Sequence, residues 1–168
     1  MARVILALLV STVLASQAQA QASPSPVDRW ESGLLADTLN TFGATNVQVS
    51  AVDSRPVITA VTREGLSATL LAKGCDTPPP ASGPVCHALE IIFTFDVKQR
   101  PDAATLADQL NHEFALGKFT VEPDGSLRAT RYLLLDGGVS QDNLRQELVD
   151  MFTVADLTRR ALAAPVKP

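Results

Sequence analysis

The sequence predicts an α+β domain, an antiparallel sheet of about six strands with helices packed on one face. The expected order is helix, four strands, helix, two strands, helix. Three observations carry this. Short apolar-alternating runs are joined by tight turn signals, which imply antiparallel neighbours. Three longer stretches place apolar residues at helical spacing. No strand–helix–strand unit repeats, which argues against a doubly wound parallel sheet.

At 168 residues the chain holds one domain and a leader. Arg3 supplies a positive start, Val4 to Ala15 form a short apolar run, and Ala18-Gln19-Ala20 offers a small-x-small cleavage site after Ala20. The run is shorter than the ~20 residues a spanning helix needs. An uncleaved anchor or a buried helix is the alternative. No cysteine follows the run, so lipoprotein acylation has no thiol to use. Residues 1–20 are therefore expected to be a signal peptide for bacterial export, to the periplasm or beyond. Residues 21–26, polar and proline-broken, are expected to form a linker.

A first helix is expected to open at Ser25 or Pro26, with Val27, Trp30, Leu34, Leu35, Leu39 and Phe42 as its apolar stripe and Gly43 as its stop. On that stripe Trp30 reads as core rather than as a ligand-stacking residue. Strands are expected over Val47–Val52, Val57–Thr62 and Leu66–Lys73, separated by Asp53-Ser54-Arg55-Pro56 and Arg63-Glu64-Gly65. The fourth is the most apolar: Leu89, Ile91, Phe93 and Phe95 share one face, against Ala88, Glu90 and Thr94 on the other. A second helix starts near Pro101 and carries Leu106, Leu110 and Phe114. Lys118–Glu122 and Leu127–Leu135 make a hairpin about Pro123-Asp124-Gly125-Ser126. Ser140 caps a last helix that buries Leu144, Leu148, Met151, Phe152 and Ala155 and runs to about Ala163. Residues 164–168 are expected to form a frayed tail.

Loss of the leader removes Arg3 and no acid, so the net charge of −4 becomes −5. The charges are dispersed, a poor footprint for nucleic acid or an anionic membrane surface. The two cysteines, Cys75 and Cys86, bracket a loop with four prolines. Export favours a disulfide between them, with two free structural thiols as the alternative. With His87 the one histidine nearby, a tetrahedral metal site lacks ligands.

The candidate chemistry is thin. His112-Glu113 begins a zinc-protease pattern, but position 116 is Leu, so a solvent-facing helix histidine is expected. Gly138-Val139-Ser140 lacks the closing glycine of a nucleophile elbow, and capping explains Ser140. Asp124-Gly125 and Asp136-Gly137 lack the further oxygen ligands that Ca²⁺ requires. No catalytic residue, cofactor or metal is expected, and the domain reads as non-enzymatic. A small periplasmic hydrolase or enzyme inhibitor using Ser140, Asp136 or His112 is the alternative.

Several motifs occur in a fixed order: Gly74-Cys75 and Cys86 ahead of an aromatic-rich strand, Leu110-Asn111 on a helix, Phe119 followed by Asp124-Gly125, and Leu135-Asp136-Gly137-Gly138-Val139-Ser140 before a long helix. Together they resemble the YbjN family of bacterial sensory transduction regulators, over approximately Asp28 to Leu162. The resemblance implies a fold similar to type III secretion chaperones, no catalysis and no agreed ligand. By fold analogy it implies a protein or peptide partner, with a homodimer as one form. It marks Asn111, Phe119, Asp136, Gly137 and Gly138 as candidate family-motif residues, within a YbjN-like domain spanning 27–163. Two departures stand out: His112-Glu113-Phe114 replaces a tryptophan–asparagine pair, and Val121 stands where the family carries an aromatic residue.

Overall fold

The computed structural model describes residues 25–76 and 84–164. The expected leader with its expected cleavage site after Ala20, most of the expected linker, residues 77–83 and the last four residues lie outside the described residues.

The chain forms α1 (Ser32–Thr41), β1 (Thr45–Val52), β2 (Arg55–Val61), β3 (Ser67–Cys75), β4 (Cys86–Asp96), α2 (Ala103–Glu113), β5 (Lys118–Val121), β6 (Ser126–Leu134) and α3 (Gln141–Ala163). The strands make one antiparallel sheet in the order β1-β2-β3-β4-β6-β5. This is the element order that the periodicities predict.

β1 to β4 form a meander. β1 turns into β2 through Asp53 and Ser54, both with positive φ (50° and 62°). Two such residues in succession give the turn whose twist matches that of the flanking strands. β4 is central. Leu89, Ile91, Phe93 and Phe95 are buried on one face and meet Ala72, Leu70 and Ala68 of β3 and Ala129 and Leu127 of β6. All three helices close on that face, bringing Leu35, Leu39, Leu110, Leu144, Leu148 and Met151 into one core cluster. Three aromatic rings bind its layers together: Phe42 meets Phe152 edge-on at 6.4 Å, and Phe152 meets Phe93 edge-on at 5.3 Å.

The first helix begins later than its periodicity implies. Residues 25–31 are not helical, and Val27 makes an isolated antiparallel bridge to Val139. The Trp30 amide donates to Cys86 O at 2.7 Å. Val27 and Trp30 are buried as expected, but backbone bonds to distant segments hold them there. Burial at helical spacing is a necessary sign of a helix, not a sufficient one.

Polar side chains fasten the far end. Arg100 grips Asp102 with two bonds (2.9 and 2.7 Å) and donates from Nη1 to the carbonyls of Leu162 and Ala164. The last carbonyls of a helix have no partner within it, so this guanidinium closes α3. The Asp102 carboxyl is held below its ordinary pKa by the Arg100 hydrogen bonds. At its start, Ser140 accepts from the Asn143 amide at 3.1 Å, the capping role expected of it.

Candidate functional site

The two edges of the sheet differ. β5 is short, and α2 lies beside it. Asn111, two residues before the end of α2, turns its amide onto the strand: Nδ2 donates to Phe119 O at 2.9 Å, and Oδ1 accepts from the Phe119 amide at 2.8 Å. One side chain thus supplies both bonds that a further strand would offer at that position. Two candidate motif residues meet here, and their pairing seals this edge. The Asn111→Ala variant is expected to lose about 2 kcal/mol, two net hydrogen bonds' worth. Chemical denaturation reads the loss, and hydrogen exchange should accelerate at the Phe119 amide.

Among the described residues, no side chain seals β1 in this way. Its eight residues carry no charge and no proline, and all but Val47 are exposed. Edge strands are ordinarily blunted by Lys, Pro, a bulge or a covering element. Here the register slips between Thr45 and Gln48, where Asn46 adopts a φ of 52°. From Gln48 to Val52 the pairing with β2 is regular. That run presents unpaired backbone groups together with the exposed side chains of Val49 and Val52. The sequence shows the alternation of Val47, Val49 and Ala51 but not that this strand is an edge.

Asp136, Gly137 and Gly138 occupy a different place, the turn from β6 into α3. Both glycines have a φ of 85°, and a Cβ at Gly138 would lie 2.9 Å from Pro26 Cβ. The turn therefore packs directly on the N-terminal segment. Asp136 Oδ1 lies 2.7 Å from His87 Nδ1, while the opposite ring nitrogen, Nε2, is hydrogen-bonded to Asp76 Oδ2 at 3.1 Å. The Asp76 hydrogen bond raises the His87 pKa above 6.5, with partial desolvation opposing and the Asp136 charge adding. These three residues come from three segments with no shared spacing, so local sequence gives no signal of their meeting.

The trio does not make a metal site. The ring's two nitrogens point to separate carboxylates, and among the described residues no group of three His, Cys, Asp or Glu side chains could hold an ion. Ser140 is engaged as a cap and Asp136 with His87, while His112 is exposed near the end of α2. No hydrogen bond among the described residues joins any two of Ser140, Asp136 and His112. Cys75 and Cys86 stand directly opposite each other on β3 and β4, their sulfurs at a bonding distance of 2.08 Å. No helix among the described residues is long and apolar enough to cross a membrane.

Residues 84–160 match a family profile described as "Putative bacterial sensory transduction regulator". The match is to YbjN. It takes in β4, α2, β5, β6 and most of α3, and with them all five candidate motif residues. The YbjN match is narrower than the Asp28–Leu162 span of the sequence resemblance and leaves out α1 and β1 to β3. The sealed edge and the Asp136 turn thus lie within the matched segment, whereas the open edge lies outside it. No curated protein matches the chain. A chain of the solved "Structure of the HopA1-SchA Chaperone-Effector Complex" is similar at 18% identity and a TM-score of 0.49, covering 79% of this chain and 92% of its own.

Proposed function

We propose that this YbjN-like domain is an exported, non-catalytic module that binds an extended polypeptide by adding it as a strand to β1. The asymmetry of the sheet edges carries the reading. β5 is closed by α2 and Asn111, and β1 is open, uncharged and free of proline. In strand addition the main chain supplies affinity, and alternate side chains supply selectivity through the flanking surface. Val49 on the helix side and Val52 on the other would meet those side chains. Export is supported by the leader's charge, apolar run and cleavage site, and by a cysteine pair suited to an oxidising compartment. The bound segment is another protein's or the same strand of a second copy.

The test is amide mapping by NMR with extended, uncharged synthetic peptides, one of them carrying the chain's own Thr45–Val52 sequence. Binding should shift and protect β1 amides. The Val49→Lys variant should lose at least tenfold in affinity, a loss of about 1.4 kcal/mol. Val49 is 54% exposed, so its stability should change by no more than about 0.5 kcal/mol. Shifts confined to β5 or to the uncovered sheet face would refute the edge as the site.

A further inference from the structure

Three chain segments meet at His87. Asp76 ends the run out of β3, His87 lies at the start of β4, and Asp136 opens the turn into α3. Both neighbours of the ring are carboxylates, which accept and do not donate when ionised. A neutral imidazole carries one N–H and can serve one of them, whereas the imidazolium serves both. The surrounding charges favour the cation. Asp28 and Arg29 of the N-terminal segment line the same open cleft of about 260 Å³ with Val85, His87, Asp136 and Gly137. Arg29 is already paired with Asp28 at 3.0 Å. The disulfide-bonded cysteines beside His87 do not titrate.

We propose that His87 is a pH-operated clasp, which as the imidazolium ties the end of β3 to the Asp136-Gly137-Gly138 turn and on losing its proton to solvent releases one of the two. The clasp acts beyond its own contacts. The Leu135 amide donates to His87 O at 2.8 Å. Just past the turn, Val139 exchanges two backbone bonds with Val27, at 2.8 and 2.9 Å. Pro26 lies against Gly138. Opening the clasp therefore loosens the seat of the N-terminal segment. The sign follows from the raised pKa of His87. Its contribution to stability is full below 6.5, the ordinary value, and is lost as the pH rises through the higher folded value. This device is independent of strand addition at β1.

The experiment is a ring-proton NMR titration of the full mature chain, in a His112→Asn background so that a single histidine reports. It is run beside amide exchange of Val27, Gly138 and Val139, corrected for the intrinsic pH dependence of exchange. The expected midpoint lies above 6.5. The three amides should lose protection across that same midpoint. Asp76→Asn and Asp136→Asn should each move the midpoint down, and His87→Gln should leave the amides weakly protected at every pH. A midpoint at or below the ordinary value, or protection that does not follow it, overturns the proposal. The titration of the His112→Asn background alone decides the matter even where a further variant folds poorly.

Discussion

Phe93→Ala is expected to cost about 3–5 kcal/mol of folding stability, a large part of the ~5–15 kcal/mol that holds a domain of this size together. The ring is 1% exposed, and its cross-strand neighbours on β3 and β6 are Ala68 and Ala129. With alanines on both sides, nothing in the sheet can move in to refill the space, so the transfer loss and the cavity cost fall together. Phe152 of α3 packs edge-on against the ring at 5.3 Å and would lose a contact of about 0.5–1.5 kcal/mol beyond its area. Phe152 also meets Phe42 just past α1, so the helix layer should slacken on both sides of α3. Urea unfolding followed by the fluorescence of Trp30, the one tryptophan, measures the effect. Phe93→Leu should cost less, since it keeps most of the volume. A cost below about 1 kcal/mol for the alanine variant would show that the layers repack freely, contrary to this packing.

The second large effect is loss of the cysteine bond. Replacing Cys75 and Cys86 together by alanine should remove about 3 kcal/mol on the loop-entropy estimate, because the bond closes a short loop and restricts the unfolded chain. The register of β3 on β4 gives the bond its structural meaning. Ala68↔Phe93, Leu70↔Ile91 and Ala72↔Leu89 place Leu89, Ile91 and Phe93 on the helix side, and a one-residue slip would turn all three outward. Paired cysteines fix that register even before the core forms. Thermal melts of the oxidised, reduced and double-alanine proteins should order in that sense, with the reduced protein and the variant close together. Thiol titration of the unfolded, unreduced protein should find no free thiol, and finding two would end this account.

Much of the fold was legible because strand periodicity is strict. Leu89, Ile91, Phe93 and Phe95 could share a buried face in one pairing state only, and the turns at Asp53-Ser54 and Asp124-Gly125 left no room for crossovers. The helix at 141–163 announced itself through its capping serine and its buried stripe. What failed to show were features made by contact between distant segments. Val27 and Trp30 carry helical spacing, yet their backbone bonds go to Val139 and Cys86 and not into a helix. β1 has the same alternation as its neighbours, and its edge position depends on the whole sheet order. Asn111 and Phe119 stood out together by family resemblance, but the bidentate amide that joins them has no sequence signature. In the sequence His87 is a lone histidine beside a cysteine, because its carboxylate partners lie eleven positions before it and far beyond it in the chain.

The unequal edges also bear on how far such a sheet can grow. A filament requires every unit to offer two open edges, one for each neighbour. Among the described residues, this sheet offers one. If β1 of one copy pairs with β1 of another about a two-fold axis, both open edges are consumed and nothing is left to recruit a third. On that pairing, Asn111 would make self-association self-limiting, leaving room for a closed pair and none for a polymer.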